Sequence, residues 1–384
     1  MTTTHAERGS RGWLRFAGFV LAGIAALWLV LVYAGLSVEA PGATAMGEGD
    51  QVGWAFDFRT YLGATSRVAV HGSPYDAAVT AGEFSPGGHT YYYTPVLAVA
   101  LLPLDGLPVG TATAWWYWLH VAALVAACAL MPISGTMRLM AFAVAAFSHA
   151  VLSDMVMGNV NVLLMSLMVL AWRWLDGPLG SVGVAVGMAL RPSLGLLLIW
   201  QLLRRAWRAA AWTIGAGLLL VVATAPFVGL HSYFEFLTIL GNMELPRNVG
   251  ASPGTWWNED LGETVRLLGA GESMMTLARI ASLALGFGTM VASLRRGREV
   301  GFMVTLMASF LVVPLLWDHY LAMTLLPAAF LAQRLWPPLL LLPILSWLPV
   351  PTLLLLCSTI VLLFLVNERA AVPQTGPRHL AVSS

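Results

Sequence analysis

Trp13-Leu-Arg-Phe-Ala-Gly-Phe-Val-Leu-Ala-Gly-Ile-Ala-Ala-Leu-Trp-Leu-Val-Leu-Val-Tyr33 carries one charge, Arg15, and follows Arg8 and Arg11. A cleaved signal peptide opens the same way, but its apolar core is only about 7–15 residues long. This run exceeds the roughly 18 residues at which a segment reads as crossing a bilayer, so it predicts a retained signal-anchor helix. The pattern recurs along the chain. Further apolar runs lie at 92–108, 112–131, 138–153, 159–175, 180–202, 209–229, 273–293, 300–316, 320–333, 335–349 and 352–366. With the first they predict an all-α polytopic membrane protein of about twelve transmembrane helices, each of about 20 residues.

Composition agrees. Hydrophobic residues make up 58% of the 384 and charged ones 10%, against about 25% charged in soluble domains, and the mean hydropathy is +0.77. A water-soluble enzyme, a disordered chain and a nucleic-acid binder are excluded; a net charge of +1 gives no field for steering polyanions. All 20 basic residues are arginine, which excludes a P-loop and Schiff-base chemistry. Cys128 and Cys357 lie far apart in apolar stretches and read as small apolar fillers.

Arginine clusters at Arg8/Arg11/Arg15, Arg204/Arg205/Arg208, Arg295/Arg296/Arg298, Arg334 and Arg369/Arg378 fall on one side when the spans are counted alternately. The positive-inside rule makes that side, with both termini, cytoplasmic. Two larger loops, 35–91 and 230–272, then lie outside with twelve of the nineteen acidic residues and four arginines. Residues 1–369 read as a single transmembrane domain and 370–384 as a disordered cytoplasmic tail. No internal repeat and no inverted pair of broken spans is visible, which weighs against a secondary transporter.

Several polar groups interrupt this apolar pattern. Trp54-Ala-Phe-Asp57-Phe-Arg59-Thr-Tyr61 sets a carboxylate among aromatics near the membrane surface, an environment that raises a carboxyl pKa and suits a general base; spacing alone favours an ordinary Asp57–Arg59 pair. His71-Gly-Ser-Pro74-Tyr75-Asp76 is turn chemistry. Tyr91-Tyr-Tyr93-Thr-Pro95 fits an interfacial belt, with Tyr93 open to a sugar-binding role. Ser153-Asp154-Met-Val-Met-Gly158-Asn159-Val-Asn161 must face the protein interior, as helix–helix glue or as a substrate pocket. Arg191-Pro192 puts a charge mid-span, a functional candidate by default, with a structural ion pair as its competitor. Trp317-Asp318-His319-Tyr320 joins two spans on the face predicted for Asp57 and offers an imidazole for phosphate or proton transfer.

Taken in order over about residues 54–333, these segments resemble the polyprenyl-phosphate-dependent glycosyltransferases of the GT-C fold. The likeness is to glycosyltransferase family eighty-seven, which includes bacterial alpha-mannosyltransferases of phosphatidylinositol mannoside and lipoarabinomannan synthesis. It rests on Asp57-Phe-Arg-Thr-Tyr61, Gly72-Ser-Pro74-Tyr75-Asp76, Tyr93-Thr-Pro95 with Leu102-Pro103, Gly158-Asn159-Val-Asn161, Arg191-Pro192 and Trp317-Asp318-His319-Tyr320. Asn159 stands where many members have glutamine and Arg191 where many have lysine. Trp257-Asn258-Glu259-Asp260 replaces an Asn-Gln-Ser element of the second outer loop.

The resemblance implies an extracytoplasmic site in a bacterial cytoplasmic membrane, with Asp57 as catalytic base. It implies substrate contacts from His319, Arg59, Tyr61, Tyr93, Asn159, Asn161, Arg191, Asn258, Asp318 and Tyr320. The donor is a polyprenyl-phosphate-linked sugar, most simply mannose, and the acceptor a glycolipid or polysaccharide. Neither cofactor nor metal is expected, and the partners are substrates and membrane lipids. Arabinofuranosyl transfer is the nearest alternative; a transporter or flippase relaying through Arg191 and Asp154 is the alternative of another class.

Overall fold

A computed structural model of the chain describes residues 3–39, 54–81, 90–241, 260–313, 316–348 and 352–367. Its α-helices are, in order, α1 (Thr3–Glu39), α2 (Phe56–His71), α3 (Ala77–Thr80), α4 (Pro95–Ala100), α5 (Val109–Leu130), α6 (Gly135–Phe147), α7 (His149–Met157), α8 (Asn161–Arg173) and α9 (Pro178–Leu190). There follow α10 (Gly195–Leu203), α11 (Trp207–Val228), α12 (His231–Gly241), α13 (Leu261–Leu267), α14 (Glu272–Ser293), α15 (Arg298–Leu311), α16 (Leu325–Arg334) and α17 (Thr352–Phe364). Every regular element among the described residues is helical, as lipid requires of a backbone that must satisfy its polar groups within each segment.

Four helices are long and apolar enough to cross a bilayer: α1 through Gly12–Ser37, α5, α11 and α14. A fifth arises if α6 and α7, bent by 61° at Ser148, count as one. The remaining apolar runs are shorter helices, or 3-10 segments such as Pro337–Trp347 around Pro343. Large apolar side chains face outward on the long helices: Phe19 is 65% exposed, Leu219 67% and Ile280 56%. Such faces fit lipid rather than water, and the chain is a membrane protein.

Side-chain contacts define two ends of the bundle and change two of the expected spans. At one end Asp176 pairs with Arg204 at 2.7 Å and Arg298 at 3.2 Å, Arg334 meets Glu299 at 2.6 Å, and Arg173 donates to the Leu130 carbonyl. At the other end lie Asp57, Tyr93, Asn159 and His319. Residues 180–202 therefore do not form one span. Asp176 before α9 and Arg204 after α10 share an end, and Thr213 bonds both Ser181 and Gln201, so the stretch is a hairpin. Its turn is Arg191-Pro192, because the residue before a proline is driven out of helical geometry; Arg191 is extended at φ −141°, ψ 102°.

Residues 92–108 do not form a span either. Tyr93 reaches Tyr61 of α2 at 2.9 Å, and Asp105 accepts from Ser66 of the same helix at 2.8 Å. Both ends of the stretch lie against α2, and only the short α4 and a 3-10 turn at Leu102–Leu104 intervene. One traverse is lost and one gained. Everything from α5 to α9 then runs opposite to the sequence expectation, which brings Asp154–Asn161 to the end that holds Asp57.

Cysteine substitution tests the reversal. With Cys128 and Cys357 replaced by serine, Leu107→Cys should label with a membrane-impermeant reagent in intact cells, whereas Gly297→Cys should label only after permeabilisation. A silent Leu107→Cys in intact cells would restore 92–108 as a span.

Candidate active site

The site forms where the start of α2 crosses the end of α7. Ser148, fully buried, caps α7 by accepting from Val151 N at 3.3 Å, and the bend it marks aims α7 at α2. There Ala55 N donates to the Val156 carbonyl at 2.7 Å, with Ala55 held at φ 59°, a left-handed geometry uncommon for a residue with a Cβ. Gly158 ends α7 at φ +70°, and a Cβ there would come within 2.7 Å of Phe58 Cβ. Only glycine allows both the backbone turn and the close approach. Trp116 of α5 stacks on Phe58 at 4.8 Å and donates its indole N–H to the Gly158 carbonyl at 2.7 Å.

This crossing places Asp57, in the first turn of α2, against Asn159. Asn159 Nδ2 donates to Asp57 Oδ2 at 2.6 Å. Asn159 Oδ1 accepts from Tyr93 Oη at 3.3 Å, which in turn accepts from Tyr61 Oη at 2.9 Å. Behind Asn159 lies Asp154, fully buried, whose carboxylate accepts from Asn161 N at 3.1 Å, Val162 N at 2.9 Å and Asn161 Nδ2 at 2.8 Å. Asp154 thus satisfies the orphan amides at the start of α8. Asn161, also fully buried, bridges Asp154 and Asn159 Oδ1.

The groups across from Asp57 carry buried nitrogens without partners among the described residues. Arg191 is 5% exposed, and its guanidinium lies over the Tyr320 ring at 3.5 Å from the centroid. Its Nη1 is buried without a hydrogen-bond partner among the described residues, as is His319 Nε2. A buried N–H left unpaired is costly, so Arg191 Nη1 suits an acceptor-rich ligand, and His319 Nε2 can join it as a second donor when the ring carries both protons. His319 Nδ1 sits 3.3 Å from Asp318 Oδ1, and Asp318 Oδ2 sits 3.3 Å from His149 Nδ1.

Asp57 and Asp318 are pushed in opposite directions. Burial drives the Asp57 carboxyl up, against the lowering influence of His319 and the Asn159 hydrogen bond, and nearby Asp154 adds to the rise. Burial also acts upward on Asp318, but the hydrogen bond from His319 and the charges of His319 and His149 outweigh it and hold that carboxyl low. Carboxylates separated in this way take different roles: Asp57 has the environment of a proton acceptor and Asp318 that of a fixed counter-charge.

Asp57, Tyr61, Tyr93, Asn159, Arg191, Asp318, His319 and Tyr320 therefore converge from distant parts of the sequence. Three expectations change. No ion pair joins Asp57 to Arg59, whose Nε is buried and unpartnered among the described residues, because positions two apart on a helix face different ways. Asn161 braces Asn159 from behind instead of lining the site as a substrate contact. The Arg191–Asp154 relay loses its acid, since Asp154 is taken up by the start of α8. Asn258 lies outside the described residues. Among them, no group of three or more His, Cys, Asp or Glu side chains is arranged to hold a metal.

Two contributors escaped the sequence reading. His149 supports Asp318, and His120, fully buried in α5, contacts Asn159. The signal for His120 was present, since an ionisable residue within a spanning run marks a protein-facing role.

A family model described as glycosyltransferase family 87 matches residues 91–317, more than half of the chain. No curated protein and no solved structure matches. The matched segment includes Tyr93, Asn159 and Arg191, whereas Asp57 precedes it and His319 follows it, so their place in the site rests on the contacts above.

Proposed function

Since the chain belongs to glycosyltransferase family 87, we propose that it moves a sugar, mannose, from a polyprenyl phosphate to a glycolipid or polysaccharide acceptor. Its GT-C bundle would make twelve passes of a bacterial cytoplasmic membrane, with the arginine-rich end cytoplasmic and the Asp57 end outside. The observation that carries the reading is the pairing of two chemistries across one site. Asp57 is an upshifted carboxylate steered by Asn159, and it faces Arg191 Nη1 and His319 Nε2, both buried and without a hydrogen-bond partner among the described residues.

One inverting displacement uses all of these groups. Asp57 takes the proton of an acceptor hydroxyl as the oxygen attacks the anomeric carbon. The bond from that carbon to the phosphate oxygen breaks, and the polyprenyl phosphate leaves as a stable anion that needs no acid. Arg191 and His319 meet the charge that develops on the phosphate, where preorganised donors in a water-poor site are most effective. A single carboxylate suffices, unlike the pair needed for glycoside hydrolysis.

Purified protein in nanodiscs, offered polyprenyl-phosphate mannose, polyprenyl-phosphate arabinose or a nucleotide-linked mannose with a glycolipid acceptor, should transfer only from the first. Transfer from the arabinose donor alone would change the sugar and leave the mechanism. Transfer from the nucleotide sugar alone, or lipid movement without transfer, would overturn the proposal.

A further inference from the structure

His120 carries more of the site than its place in an apolar helix suggests. Its ring lies in α5, fully buried, edge-on to Trp116 at 4.9 Å. Nδ1 is 2.8 Å from the Trp116 carbonyl oxygen and Nε2 is 2.5 Å from the Asn159 carbonyl oxygen. A carbonyl oxygen only accepts hydrogen bonds, and a neutral imidazole has one N–H. With one proton on the ring, a bare nitrogen lone pair would face a carbonyl at hydrogen-bonding distance. Two N–H groups remove the conflict. The counter-charge is at hand: Asp154 Oδ2 is 3.9 Å from Nε2 and equally buried.

We infer that His120 is held as a buried imidazolium, neutralised by Asp154, and acts as a positioning residue for the base of the proposed reaction. The link is one residue long. His120 grips the backbone of Asn159, and the side chain of Asn159 delivers its amide N–H to Asp57 at 2.6 Å. The same carboxylate that balances His120 secures the first amides of α8, so α5, α7 and α8 are clamped around Asn159. Without the clamp Asn159 turns, and Asp57 loses the contact that fixes its free oxygen toward the acceptor. The role in catalysis rests on the reading of Asp57 above; the charge on His120 does not.

The two parts are tested separately. In protein carrying 15N-histidine and 13C-carbonyl asparagine, solid-state NMR selects His120 in the native chain by its dipolar coupling to the Asn159 carbonyl carbon. Both ring nitrogens should be protonated at neutral pH. One unprotonated nitrogen, or no such coupling, overturns the inference whatever the activity. Kinetically, His120→Gln supplies a donor to only one carbonyl and should lower kcat about 10²-fold, the effect of a misplacement of about 1 Å, with donor KM nearly unchanged. If that variant does not fold, Asn159→Ala, which removes the relayed contact, should give the same split. Unchanged kcat in a folded variant, or loss confined to KM, would reduce His120 to a packing role. Should the native protein transfer no sugar, the functional proposal fails while the NMR result still decides the charge.

Discussion

Asp57→Asn is expected to lower the transfer rate roughly 10²–10⁴-fold while donor affinity stays nearly intact. Asparagine matches aspartate in shape and can still bond Asn159, but it accepts no proton at neutral pH. The donor phosphate is assigned to Arg191 and His319, so binding should survive. If Asp57 only braced the start of α2, the substitution would alter stability and leave turnover close to normal. The native pH profile carries a second sign of the same role. A base acts only when ionised, and burial raises this carboxyl. Activity should therefore fall, as pH drops, at a pH above the usual carboxylate range, and that acid limb should be absent from the residual activity of Asp57→Asn.

His319→Ala should cost about 2.7–4 kcal/mol of transition-state stabilisation, roughly 10²–10³-fold in kcat. The buried Nε2 has no hydrogen-bond partner among the described residues, and the imidazole is held from behind by Asp318 and stacked on Trp317. Its removal leaves a cavity beside Arg191 and Tyr320, so folding is to be checked by thermal melting in parallel. His319→Gln, which retains a donor, should recover part of the rate. Turnover equal to native at saturating donor would show that His319 packs and does not meet the phosphate.

Much of this site is legible in the sequence for one physical reason. Lipid makes every polar side chain in an apolar run an anomaly, and Asp154, Asn159, Asn161 and Arg191 stand out on that ground. Asp57 and His319 lie outside the apolar runs and stand out through the ordered likeness to glycosyltransferase family 87. Two things were not legible. The length of 180–202 suits a single span, and nothing local says that the chain turns back at Arg191-Pro192; the contact between Asp176 and Arg204 decides it. The run 92–108 is apolar enough for a span, yet Leu102-Pro103-Leu104-Asp105 stops the helix and Ser66 holds Asp105 against α2. These two errors cancel in the number of traverses and differ in direction. Alternate counting of the predicted spans separates Asp154–Asn161 from Asp57, whereas the contact between Asn159 and Asp57 brings them together. His120 meets Asn159 only through the tertiary fold, 39 positions away in the chain, and nothing local points to that contact.

The most direct measurement of the central claim is a structure with a polyprenyl-phosphate sugar bound, determined on Asp57→Asn protein in nanodiscs so that the donor is not consumed. The phosphate should lie within hydrogen-bonding reach of Arg191 Nη1 and His319 Nε2. The anomeric carbon should present its face opposite the phosphate toward residue 57, with room between them for an acceptor hydroxyl. A phosphate bound away from both side chains, or a sugar whose anomeric carbon turns from residue 57, would contradict the account.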